Sequence, residues 1–190
     1  MNIFYDLGAG TGTDIKLFYN MYPKEDWQVH AFEIQKDRSA TIKILYPEVT
    51  LVNAAAGSYD GMANFYKGAN PNGVSLLPEK TGVSRKNVEG TEVVDFAKYM
   101  RENSNADDNI ILLIDIEGGE YDLIDHLKAE GVLDWVNELY MEFHGHKLDG
   151  FDIEREEEMR DYLIDKFGDN VYIFRMHQHK KFLRLNAEGK

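Results

Sequence analysis

A doubly wound α/β fold is expected from this sequence, on three observations. An apolar run near the N-terminus, Ile3 to Tyr5, leads into the glycine-rich turn "YDLGAGTGTD" and then into helical spacing. Strand and helix patterns alternate from there to residue 55. A second apolar run, "IILLIDI", has the character of a central parallel strand buried on both faces. Together they give a Rossmann-like sheet, mostly parallel, with an antiparallel strand pair at the C-terminus.

Each element follows in order. Residues 2 to 7 form a buried strand. Asp14 to Tyr22 carries Ile15, Leu17, Phe18 and Met21 at helical spacing, and Pro23 closes that helix. "WQVHAFE", 27 to 33, alternates as a strand does. Lys36 to Leu45 is a short helix, and "EVTLVNAA", 48 to 55, is a third strand. Residues 61 to 68 look like one strand of a meander. Residues 68 to 90 are rich in glycine, show no period, and are expected to be a long functional loop. A strand running into a short helix covers 91 to 100. The central run at 109 to 115 precedes a helix at 119 to 130 and a strand at 137 to 145. "FDIEREEEMRDYLIDKFG", 151 to 168, is an acidic amphipathic helix with Ile153, Met159, Leu163 and Phe167 inward. "NVYIFRM" and "KKFLRLN" form the closing antiparallel pair.

The chain of 190 residues is 43% hydrophobic, which suits one domain over 1 to 190 with a loop insertion at 68 to 90. The net charge of −13 falls mostly beyond residue 107 and disfavours a nucleic-acid partner. There is no cysteine, hence no disulfide framework and no thiolate metal site. With no leader segment and no membrane-spanning run, a cytoplasmic protein is expected. The sequence assigns no oligomeric state.

The glycine turn departs from a dinucleotide fingerprint. A G-x-G-x-x-G turn would place glycine at Thr13, and a P-loop would end in Gly-Lys-Ser/Thr. Glu33 ends the second strand, where a carboxylate can accept from both ribose hydroxyls. The site therefore suits a nucleoside whose arm carries an amine rather than a phosphate. S-adenosylmethionine answers that description: adenosine at Glu33, the methionine amine at Asp6, its carboxylate on the turn Gly8-Ala9-Gly10-Thr11-Gly12.

The sequence resembles an FkbM-type class I methyltransferase. The stretches that carry the resemblance are "YDLGAGTGTD", "AFEIQ", "VNAAAGSYDGMANFY", "GVSLL", "LLIDIEGGEYDLI" and "LYMEFH", in that order over residues 5 to 144. The resemblance implies a seven-stranded sheet with S-adenosylmethionine over the strand ends, and O-methylation of sugars or other natural-product hydroxyls. It implies that Asp6, Gly8, Gly10 and Gly12 line the methionine part and that Glu33 takes the ribose. Ile34 packs on the adenine, and Asn53, Ala54 and Ala55 edge the base. Thr11 stands where the family has Asn, and the chain starts at the first strand. The 68 to 90 loop is therefore expected to supply the cover over the site.

A second cluster joins Asp115, Glu117, Glu120, Glu142 and His144. Asp115 ends the central strand, where open α/β sheets bind ligands, and also stands beside the cofactor. Glu142 and His144 are two apart and face one side of the next strand. Two mechanisms are open. His144 or Asp115 could be a general base for the acceptor hydroxyl. Alternatively Asp115, Glu142 and His144 could hold Mg²⁺ or Mn²⁺ to polarise it. Glu120 is read as charge on a first helical turn. His146, His177 and His179 are read as loop or turn residues, and His30 and His126 as surface or packing residues. The expected activity is S-adenosylmethionine-dependent O-methylation of a small-molecule hydroxyl, such as a saccharide's. Its rivals are a nicotinamide-dependent oxidoreductase and a non-catalytic cofactor-binding or assembly module.

Overall fold

A computed structural model describes residues 1–68 and 73–174. The strands are β1 (Asn2–Leu7), β2 (Gln28–Phe32), β3 (Thr50–Val52), β4 (Ala55–Gly57), β5 (Gly61–Gly68), β6 (Val83–Asp95), β7 (Asn109–Ile114), β8 (Val136–Glu142) and β9 (Val171–Phe174). The α-helices are α1 (Thr13–Met21), α2 (Lys36–Leu45), α3 (Phe96–Asn103), α4 (Glu120–Ala129) and α5 (Ile153–Phe167). Six strands form one parallel sheet in the order β3-β2-β1-β7-β8-β9. The order reverses between β1 and β7, the point at which open α/β sheets leave a crevice for ligands.

The alternation of side chains along each strand builds both layers. Ile3, Tyr5 and Leu7 of β1 and Ile110, Leu112 and Ile114 of β7 share one core with Phe96, Tyr121 and Met159 from α3, α4 and α5. Phe4, Ile111 and Leu113 face the other way, onto Ile15 and Phe18 of α1 and Ile42 of α2. Phe4 and Phe18 stack with ring centroids 4.1 Å apart.

Three expectations change. The 48 to 55 run is two short strands in two sheets: β3 joins the main sheet, and β4 joins a second sheet of order β4-β6-β5. Residues 83 to 90, expected as loop, are the first part of β6, paired antiparallel with β5 across an irregularity at Tyr66/Lys67. Ile153 is exposed, and its place on the inner face of α5 is taken by Glu156, which accepts from the Tyr121 hydroxyl at 2.6 Å. β9 runs parallel to β8; its expected antiparallel partner, and with it His177 and His179, lies outside the described residues. No described helix is long and apolar enough to cross a membrane.

Candidate active site

The crevice at the strand-order reversal opens into a cavity of about 480 Å³, within the range of small-molecule sites. Its floor is the turn after β1. Gly8 takes φ +94 and Gly10 φ +56, left-handed values that favour glycine. At Gly8 the need is also one of space: a Cβ there would lie 1.9 Å from the carbonyl oxygen of Asp115. The two strand ends thus meet backbone to backbone, with the Asp115 amide donating to Leu7 O at 2.9 Å. Gly8→Ala is therefore expected to cost about 3–5 kcal/mol, seen as a lower urea midpoint. An unchanged midpoint would exclude this close approach.

Of the residues expected at the cofactor, Gly8, Ala9, Gly10, Thr11, Glu33, Ile34, Ala54, Ala55 and Asp115 line the cavity. Three do not. Asp6 shares the face of Phe4, under α1, and is completely buried within the sheet. Gly12 caps α1 in the left-handed region at φ +84, and its missing side chain makes room for the Tyr46 ring. Asn53 acts from behind the wall: its amide donates to Glu33 O at 2.7 Å, Ile34 O at 3.2 Å and Ser39 Oγ at 3.0 Å.

Glu33 is held rigidly. Its carboxylate accepts from the Gly10 amide at 2.8 Å and the Gln35 amide at 2.7 Å. Burial pushes its carboxyl up from the ordinary value, against the pull of the Gln35 amide, the Arg38 charge and the Gly10 amide. Three more of the turn amides are also committed: Gly8 and Ala9 donate to Phe32 O, and Gly12 to Ala9 O. An expected role for these four amides as carboxylate binders does not fit that pattern. Arg38, missed in the sequence, is the single cationic side chain lining the cavity among the described residues.

Beyond Asp115 the chain forms a strained turn. Glu117 has φ +59, a left-handed value rare outside glycine, and strain of that kind gathers at functional sites. Behind the turn lies His144, 1% exposed. Its Nδ1 donates to Glu120 Oε1 at 2.7 Å. Its Nε2 faces Glu117 and Glu142 at 3.4 Å and Asp115 at 3.6 Å. Burial is the largest influence on this imidazole and pushes its pKa down. The hydrogen bonds to Glu120 and Glu142, with the charges of Glu120 and Asp115, outweigh it and raise it to about 10. His144 is therefore an imidazolium at neutral pH, and a general-base role does not fit it. Neither His144 nor Glu142 lines the cavity. Glu120 is not a solvated helix-end charge: it is fully buried and also accepts from the Gly118 amide at 3.0 Å. His146 stacks on His144, His30 is buried against Tyr99, and His126 pairs with Asp95.

The atoms of Asp115, Glu117 and His144 lie within 4.8 Å of one another. They offer the oxygen-rich donor set that Mg²⁺ or Mn²⁺ takes. The electrostatics do not fit a cation as arranged. Glu117 Oε2 already meets Lys80 Nζ at 2.8 Å and Lys147 Nζ at 3.3 Å, and the imidazolium adds a third positive group. Lys80 was not legible as a site residue, yet its side chain is only 2% exposed. It comes from the described residues 73 to 82 between β5 and β6. Ser75 Oγ donates to Glu117 O at 2.7 Å, the Thr81 amide donates to Lys147 O at 2.7 Å, and residues 74 to 77 line the cavity.

No protein-family model matches the sequence, and no curated protein matches it. Among solved structures the fold is similar to that of a methyltransferase FkbM from Methylobacillus flagellatus KT, with a TM-score of 0.54 and 12% identity. The similarity covers 88% of this chain and 38% of that one. At that identity the likeness is one of fold: a Rossmann-like α/β sheet with its crevice at the β1/β7 reversal.

Proposed function

We propose that the chain is an S-adenosylmethionine-dependent methyltransferase that O-methylates a hydroxyl of a small molecule, such as a saccharide. The observation that carries this reading is one continuous cavity running from Glu33 and Ile34, across the glycine turn, to Asp115. The residues suit the cofactor. Glu33 offers a fixed carboxylate for ribose hydroxyls, and Ile34, Ala54 and Ala55 offer apolar walls for a flat base. Bound there, S-adenosylmethionine supplies an electrophilic methyl group on a sulfonium leaving group. Gly8 and Gly10 let the backbone come close without a Cβ in the way. Asp115, at the strand end, accepts a hydrogen bond from the acceptor hydroxyl and receives its proton. The likeness in fold to a solved methyltransferase structure supports the same reading.

A nicotinamide dinucleotide fits less well, because Thr13 stands where its fingerprint takes a third glycine. Calorimetry should show S-adenosylhomocysteine binding and no NAD binding; the reverse would establish the oxidoreductase. Binding of neither would leave the non-catalytic module. Glu33→Ala should weaken S-adenosylhomocysteine by about 100-fold, the loss of two hydrogen bonds to a charged group. Glu33→Gln, which keeps an acceptor, should recover part of it. Unchanged affinity in Glu33→Ala would place the nucleoside elsewhere.

A further inference from the structure

The carboxylate of Glu117 is anchored through one oxygen. Lys80 Nζ at 2.8 Å, Lys147 Nζ at 3.3 Å and His144 Nε2 at 3.4 Å all meet Oε2, and none of these contacts uses Oε1. Glu117 lines the cavity, whereas Lys80, Lys147 and His144 do not. The three groups therefore hold the carboxylate from the wall side. Its backbone is fixed as well. Glu117 O accepts from Ser75 Oγ at 2.7 Å, and the Gly118 amide donates to both oxygens of Glu120 at 3.0 Å. A Cβ on Gly118 would stand 3.1 Å from both Leu77 and Leu148, so the turn is packed from two sides.

Other polar side chains at this end of the cavity are turned to the protein. Asp122 meets Arg155 at 2.8 Å, and the Ser75 hydroxyl is spent on Glu117 O. Asp115, to which the reacting hydroxyl is assigned, stands two residues before Glu117, and carboxylate oxygens of the two come within 4.8 Å of each other. Neighbouring hydroxyls on one ring stand roughly 3 Å apart, and each donates over about 2.7 Å. A vicinal diol therefore spans the pair, with one hydroxyl on Asp115 and the next on Glu117. A lone hydroxyl reaches only one of them. Because Glu117 is already held in place, binding it costs little further ordering.

We propose that Glu117 determines acceptor specificity: its Oε1 accepts from a second hydroxyl beside the one that is methylated, and the acceptor is a vicinal diol. The proposal rests on the methyltransferase reading but is tested apart from it. Amide NMR spectra of the protein, with and without S-adenosylhomocysteine, are followed at residues 115 to 118. The probes are trans-cyclohexane-1,2-diol, its 1,4-isomer and cyclohexanol. The 1,2-diol should bind at least about tenfold tighter than either of the others, the worth of one hydrogen bond to a charged group. In Glu117→Gln the lysines keep the amide oxygen on their side and turn its NH₂ to the cavity. The advantage of the 1,2-diol should then vanish, with S-adenosylhomocysteine affinity unchanged.

Equal affinity for the two diol isomers would overturn the proposal. So would an advantage that survives Glu117→Gln, or saturable shifts with none of the three probes. Should Glu117→Gln fail to fold, Lys80→Met/Glu117→Gln removes both members of the ion pair together and takes its place, and the comparison of isomers on the wild type needs no variant. Failure of the methyltransferase reading looks different: no S-adenosylhomocysteine binding at all, whatever the diols do. The titrations without S-adenosylhomocysteine would still decide the contact at Glu117.

Discussion

His144→Gln should destabilise the protein by about 3–5 kcal/mol, the cost of removing one partner from a buried ion cluster. Glu120 is fully buried and Glu142 nearly so, and both would lose their positive neighbour. The pH dependence gives a sharper signature than the size. The folded imidazole titrates at about 10, above its ordinary 6.5. A raised value means that the folded state holds a proton the unfolded chain has released. The contribution is therefore complete below pH 6.5 and is lost as pH climbs from there toward 10. Urea denaturation at pH 6, 8 and 9.5 should show wild-type stability falling along that series by several kcal/mol, with a much flatter variant. Parallel slopes would mean that His144 is neutral in the fold.

That cluster shows how far the sequence carries and where it stops. β1, the glycine turn and β7 were legible because an uninterrupted apolar run leaves few alternatives to a buried strand. Asp115, Glu142 and His144 were legible as neighbours, since parallel pairing of β7 and β8 brings their C-terminal ends together. The direction of charge was not. His144 looks like a base until Glu120, 24 residues away, is seen against its Nδ1. Lys80 was invisible because its partner Glu117 is a distant residue on another loop, and no local period marks such a pair. Residues 83 to 90 escaped for a different reason. As a projecting ribbon this part of β6 is exposed on nearly every residue, so it lacks the apolar alternation that announces a half-buried strand. The break at Asn53 was hidden inside a β-branched run, since its cause is an amide that turns back onto Glu33 and Ile34.

On the proposed activity, Asp115→Ala should lower kcat by about 10²–10⁴-fold while S-adenosylhomocysteine affinity stays within about threefold. The argument is one of position. With His144 protonated and behind the wall, Asp115 is the carboxylate that both lines the cavity and stands at the strand-order reversal. Its backbone is fixed by the Leu7 carbonyl and by the empty Cβ position of Gly8, so the side chain cannot drift far. The side chain is 25% exposed, open enough to meet a substrate. Asp115→Asn separates the two jobs the residue could do. It keeps an acceptor for the hydroxyl but cannot take a proton, so a proton-transfer role predicts a loss close to that of alanine. A pure positioning role predicts substantial rescue by Asn. If Asp115→Ala instead loses S-adenosylhomocysteine and keeps its rate at saturation, Asp115 belongs to the cofactor and not to the acceptor. The proton would then have to leave by way of Glu117, the remaining carboxylate of this cluster that lines the cavity, and Lys80→Met, which removes the ammonium at its Oε2, would become the variant that changes the rate.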